Sequence, residues 1–381
     1  MENTSADYKR LVSQTEGDLH QELLPKQTEI SPHTFDQTKS IIFALLTGLF
    51  FALHNLTLGS LTRLGYLARS NTGLGIGIGA VIYYSYQFVD KRRKNQAFFD
   101  WEKSVFRNQN PQVSIKHRGK FEYWILAGVI AMALISIGSG LIVIVSFKLA
   151  LEGGMNQGVI TAIYGTTPFI ISIMFYIKFG ETLKISQLIG MVFMIFCITM
   201  IGFLRAPSAE AITQADYNPN GVAIALILSM ICPFFFALDG LIIRLLCMKF
   251  RVNPNELSQA AHLCQGGIVI IGTLLGYLVD NYKYEFIWLD FLQMVLAGII
   301  VNFGGACLSI SVSLGNVGVG YSLINSQVII FILLAALLLG QIPTTIEIVA
   351  VAFGIVGSCI MSLGPEIYNK LIRIINTRLQ E

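Results

Sequence analysis

The sequence predicts an all-α transmembrane protein, with ten transmembrane helices forming two inverted five-helix repeats. Three observations lead there. Of the 381 residues, 54% are hydrophobic and only 13% are charged, about half the charged share of a soluble domain. The charges also avoid long windows: residues 41–62, 125–147 and 322–340 contain no Asp, Glu, Lys or Arg. A run of about 18 such residues is long enough to cross the hydrocarbon layer as a helix. Finally, the two halves of the chain resemble each other and each holds an odd number of apolar windows.

Taken in order, the windows fall near 41–61, 72–89, 121–147, 157–179, 185–204, 221–243, 260–279, 291–311, 319–339 and 344–363. Turn residues or charges separate them, among them Gly153-Gly154, Pro219-Asn220, Pro254, Asp280-Asn281 and Pro343. Backbone polar groups in lipid must be satisfied within the segment, so spans of this length are helices. The expected organisation is a disordered tail over 1–40 and a first repeat over 41–204, with a basic loop at 90–120. A linker over 205–220, a second repeat over 221–364 and a tail over 365–381 follow. No signal peptide is expected, and the first span should act as an anchor. The last tail has amphipathic spacing, with Leu371, Ile374 and Ile375 on one face.

Basic residues concentrate on the cytoplasmic side of membrane proteins. With the N-terminus inside, 21 of the 26 Lys and Arg fall on that side, and only Arg63, Arg69, Lys148, Arg205 and Lys283 fall outside. An integral multi-pass protein with both termini cytoplasmic is therefore expected. The net charge of +3 is too small to suggest nucleic acid as a partner. Membrane lipid is the expected surroundings, with anionic headgroups a candidate contact for the basic loop. The six cysteines all lie in apolar windows without a CxxC pair, which reads as buried thiols.

The repeat is visible when Gly180-Glu181 is laid over Gly340-Gln341. Asn156 then falls on Asn316, Gly158 on Gly318 and Gly138 on Gly298. Earlier in each half, residues 50–54 (FFALH) match residues 235–239 (FFALD). Five spans per half turn one half upside down relative to the other. Inverted repeats around a midplane site are a known architecture of secondary transporters.

Four short segments carry a family resemblance: residues 147–151 (FKLAL), 162–168 (AIYGTTP), 179–182 (FGET) and 188–190 (LIG). Together they resemble the drug/metabolite transporter superfamily in its EamA-type branch, over about residues 41–364. The second half departs from the pattern, with Gln341 where Glu is usual and Val328, beside Gln327, where Pro is usual. The resemblance implies two inverted five-helix bundles with a central cavity and no enzyme activity. Pro168, Gly180, Glu181, Gly340 and Gln341 are its structural positions, and Glu181 also suits the N-terminus of the following helix.

A charge at mid-membrane is costly and tends to be functional. Asp239 is the acid set deepest in a span, with Arg244 after it, and His54 and His262 are the imidazoles at depth. The FFALx match makes His54 and Asp239 repeat equivalents, able to bind a polar solute or pass a proton if they share a cavity. The plainer alternative pairs Asp239 with Arg244 or a neighbour and bonds His54 to a backbone carbonyl. Asn55 joins the candidates beside His54. Tyr164, Thr166 and Thr167 with Pro168 in the fourth span, and Asn325, Ser326 and Gln327 in the ninth, form polar belts at matching depth. These suit a solute site or hydrogen bonds between helices.

The glycine series Gly73, Gly75, Gly77 and Gly79 lies in an apolar span, which argues for helix packing over nucleotide binding. Gly75 and Gly79 form a GxxxG, which serves packing within a chain or between two copies, so a homodimer is one expectation. No catalytic motif appears, and neither cofactor nor metal is expected. The expected function is secondary transport of a small organic solute. The alternatives are a nucleotide-sugar or sugar-phosphate antiporter, and then a channel or a non-transporting scaffold.

Overall fold

The structure is a computed structural model describing residues 37–60, 66–94, 104–107, 120–155, 157–179, 185–204, 219–280, 287–314, 321, 323–324, 327–357, 359–360 and 364. Residues 1–36, the expected C-terminal tail, nearly all of the linker, most of the basic loop, and Gly180, Glu181, Asn316 and Asn325 lie outside these residues, while residues 37–40, expected in the disordered tail, are helical. The described part is helical, with one isolated β-bridge joining Arg107 and Phe121.

The helices are α1 (Gln37–Ser60), α2 (Tyr66–Arg93), α3 (Tyr123–Glu152), α4 (Gln157–Tyr164), α5 (Thr167–Phe179) and α6 (Ile185–Leu204). They continue with α7 (Pro219–Phe250), α8 (Pro254–Asp280), α9 (Trp288–Leu314), α10 (Gln327–Leu339) and α11 (Thr345–Gly357). Among the described residues, four segments are long and apolar enough to cross a membrane: Lys39–Ser60, Tyr123–Glu152, Asn220–Phe250 and Trp288–Ser311.

Helix ends follow local chemistry. After α3, Gly154 takes φ +64°. This lets Gly154 N–H reach Leu151 O (2.9 Å) and Met155 N–H reach Ala150 O (2.8 Å), a Schellman closure that satisfies the last carbonyls. Asn253 and Pro254 open α8, with the Asn253 carboxamide oxygen accepting from Asn255 N–H (3.0 Å) and proline at the first helical position. At the start of α11, Thr344 N–H donates to Glu347 Oε2 (2.7 Å), and Glu347 N–H donates to Thr344 Oγ1 (3.3 Å). This reciprocal capping box makes Thr344, one residue past Pro343, the N-cap of the helix.

The expected fourth span is two helices. Pro168 has no N–H for the carbonyl of Tyr164, and its ring would crowd that carbonyl in a continuous helix. The chain turns at 165–166 instead, and the Thr167 hydroxyl donates to Tyr164 O at 2.6 Å. The carbonyl freed by proline is thus satisfied inside the protein.

Packing sets α9 along α1 and α2, and α3 along α7 and α8. Between these pairs, α2 packs on α8, α4 packs on α10, α1 meets α10, and α7 meets α4 and α5. The glycines of α2 are what let three helices converge. At Gly77, an added Cβ would sit 2.8 Å from Gly266 Cα, and at Gly79 it would sit 2.8 Å from Asn302 Cβ. Gly75 faces the backbone of Val295. The GxxxG pair is therefore used within the chain, against α9.

The distribution of polarity is the reverse of a water-soluble bundle. Large apolar side chains such as Leu134, Ile227, Phe234, Leu333 and Leu337 are exposed, whereas Thr47, Ser146, Gln157, Thr161 and Gln265 are fully buried. Apolar surface on that scale needs a nonpolar surround. Tyr123 and Trp124 at the start of α3 and Trp288 at the start of α9 are exposed, as interfacial aromatics are in membrane proteins. Lys249 lies 5.9 Å from the Trp124 ring centroid. Part of the basic loop is also structural: Val105 is buried with Ile125, Leu246 and Leu257 at one end of α3, α7 and α8.

Candidate functional site

A cavity of about 200 Å³ lies among these helices. One water needs only about 15 Å³ on this kind of measure, so there is room for a small organic molecule. Its wall draws on α1, α2, α3, the α4–α5 break, α7, α8, α9, and the segment from Tyr321 into α10. Helices α6 and α11 contribute nothing to it among the described residues.

The sequence candidates converge here. His54, Asn55, Tyr164, Thr167, Asp239, His262 and Gln327 all line the cavity. His54 and Asp239 therefore share one space. Arg244 does not line it, and no ion pair joins Arg244 to Asp239. Of the structural positions, Pro168 lies at the α4–α5 break, while Gly340 (φ +66°) and Gln341 follow α10.

Hydrogen bonds orient both imidazoles. His54 Nδ1 is 3.0 Å from Ala297 O of α9. A carbonyl only accepts, so that nitrogen carries a proton. The plainer expectation for His54, a backbone carbonyl partner, is met, and the residue lines the cavity as well. His262 Nδ1 is 3.0 Å from Asn302 Nδ2, which also donates to Ile76 O and to Gln259 Oε1, each at 3.2 Å. These contacts hold the His262 ring in place beside Asn302 of α9. The ring rests on Gly305, whose added Cβ would lie 2.8 Å from His262 Cε1. Two helices of one half and one of the other thus fix this side chain.

Asp239 sits beside Gly240, and a Cβ there would lie 3.0 Å from the Tyr321 hydroxyl. The Tyr164 ring meets Phe236 edge-on, with centroids 5.9 Å apart. Asp239 makes no hydrogen bond or ion pair with another described residue. It is partly exposed, and the space it borders is the cavity.

Sequence reasoning missed Ser136, Ser139, Ser258, Ser309 and Tyr321, which also line the wall. Ser258 and His262 are four residues apart on one helix face, a spacing that signals a shared surface. Asn302 was missed altogether: it is 1% exposed and lies behind the wall, holding His262.

Beyond Leu58 the cavity ends in packed side chains. Leu58, Phe147 and Phe331 are fully buried, and the two rings stack at 5.8 Å. Past them lies fully buried Gln157. Its Nε2 donates to Gly59 O and Phe147 O, each at 3.4 Å, and its Oε1 accepts from Gln341 Nε2 at 3.1 Å.

No family model matches the chain, and no curated protein matches it. Among solved structures, one described only as the crystal structure of a protein superposes with a TM-score of 0.53 at 14% identity, covering 84% of this chain and 97% of that one. This likeness shows a shared fold and nothing of activity.

Proposed function

We propose that the protein is a secondary transporter that moves a small organic solute across a membrane by alternating access, as ten spans in two inverted repeats of the drug/metabolite transporter type. The observation that carries this reading is that His54 and Asp239, matched by the FFALx repeat, border one cavity between the halves. A midplane site shared by two repeats is what such carriers use.

The packing supports the inverted repeat. The most extensive helix pairings have counterparts with the halves exchanged: α1 on α9 answers α7 on α3, and α2 on α9 answers α8 on α3. The FFALx match lays Thr47 over Cys232. Thr47 Oγ1 donates to Gly304 O of α9 (3.3 Å), and Cys232 Sγ donates to Ser139 O of α3 (3.5 Å). The Phe50 and Phe51 side chains border Gly304, as Phe235 borders Gly138. This packing matches Gly138 with Gly304, six residues beyond the Gly298 that the ungapped alignment suggests. Exposed aromatics open both α3 and α9, which an inverted pair would set at opposite membrane surfaces.

On this reading both termini are cytoplasmic, and the Gln157–Gln341 contact closes the outer end of the cavity. An antiporter of phosphorylated solutes would need cations at the wall. Among the described residues no Lys or Arg lines it, and Lys148 lies 3.7 Å from Glu152 on its own helix. No catalytic role is assigned to any residue.

Reconstitution tests the proposal. Purified protein in liposomes is expected to give saturable uptake of at least one member of a panel of amino acids, amines, sugars and nucleotide sugars, with exchange against preloaded solute. Uptake equal to protein-free liposomes for the whole panel would count against it. Non-saturable flux would favour a channel.

A further inference from the structure

We infer that the cavity takes a monovalent organic ammonium ion and that Asp239 is its counter-ion; this rests on the carrier reading above. Among the described lining residues Asp239 is the single carboxylate, and there is no Lys or Arg. An unneutralised carboxylate among apolar helices is expensive. Among the described residues Asp239 forms no ion pair, and Arg244 stands off the wall.

The surroundings suit a cation carried on an organic skeleton. Phe51, Tyr164, Phe236 and Tyr321 line the same cavity. Aromatic faces attract ammonium groups within about 6 Å, more strongly when water is excluded. The apolar part of a solute finds Leu58, Ile135 and Val143 on the wall. A carboxylate or phosphate solute would meet Asp239 with like charge and find no fixed cation in return. A ligand is selected by its differential interaction with the site, and here that difference favours positive charge.

The test uses full-length protein in nanodiscs and matched solutes of one skeleton: 2-phenylethylammonium, 2-phenylethanol and 3-phenylpropanoate, then hexylammonium, 1-hexanol and hexanoate. Thermal unfolding reads binding, since a ligand of the folded state raises its stability by mass action. At least one ammonium is expected to bind tenfold or more tightly than its alcohol, with the carboxylates inert. Asp239→Asn is expected to lose that tenfold preference and Asp239→Glu to retain part of it. Tighter binding of an alcohol or carboxylate, no binding of either ammonium, or an ammonium preference unchanged in Asp239→Asn would overturn the inference. So would an equal shift with sodium alone. If Asp239→Asn does not fold, Ser136→Lys supplies the second variant: a cation on the same wall should abolish ammonium binding, and unchanged binding overturns the inference. Uptake of a neutral or acidic solute, without ammonium uptake, would overturn this assignment and leave the carrier standing. Absence of uptake for every solute, together with absence of binding, would overturn both.

Discussion

Gln341 and Gln157 hold each other through two hydrogen bonds. Gln341 Nε2 donates to Gln157 Oε1 at 3.1 Å, and the Gln157 backbone N–H donates to Gln341 Oε1 at 3.3 Å. This contact gives a physical reason for amide chemistry at position 341, where the resembled family has Glu. A carboxylate offers only acceptors and would face the carbonyl-type oxygen of Gln157. An amide supplies both the donor and the acceptor that the site demands.

The pair should therefore be energetically coupled. Gln341→Ala is expected to destabilise by about 1–3 kcal/mol, because Gln157 is left fully buried with part of its amide unsatisfied. A double-mutant cycle with Gln157→Ala, read by thermal unfolding in detergent, should give a coupling of about 1 kcal/mol. Additive effects would mean that the two side chains do not sense each other.

The helix crossing at Gly77 makes a second prediction. A methyl group there would lie 2.8 Å from Gly266 Cα, whereas one at Gly272 meets nothing within 4 Å. Gly77→Ala should cost about 1–3 kcal/mol through forced separation of α2 and α8. Gly272→Ala should stay within about 0.5 kcal/mol, as surface changes usually do. Melting temperatures of the two variants, side by side, check the contrast.

The break between α4 and α5 gives the third. Thr167→Val keeps shape but removes the hydroxyl that donates to Tyr164 O at 2.6 Å. A loss of about 1–3 kcal/mol is expected for the unsatisfied carbonyl, with Thr167→Ser close to the parent. Equal stability of the Val and parent proteins would show that another group takes over that carbonyl.

The helices long and apolar enough to cross a membrane were legible because hydropathy is a property of single windows. Length and charge exclusion identify α3 from residues 125–147 without knowing what it touches. Much of the cavity was legible too, since a polar residue in an apolar window must face protein or a solute, and His54, Asp239 and His262 all do. What failed needs three dimensions. Arg244 is as polar as Asp239 and only five residues away, yet the turn of α7 takes it off the wall. Asn302 went unnoticed, because its importance comes from meeting Gln259, His262 and Ile76 on two other helices. Pro168 signals a break, but the sequence does not say that Thr167 heals it. The Gln157–Gln341 contact spans 184 residues, beyond the reach of any local pattern.

Alternating access is the central claim, and side-specific labelling tests it without knowing the solute. Ser136, on the cavity wall, becomes the reporter in a cysteine-free background as Ser136→Cys, probed with a membrane-impermeant maleimide from each side of oriented proteoliposomes. Labelling is expected from both sides. Cross-linking Gln157→Cys to Gln341→Cys should then abolish labelling from the side on which that pair lies and spare the other. Labelling from one side only under every condition would contradict a carrier, as would labelling from both sides that the cross-link leaves unchanged.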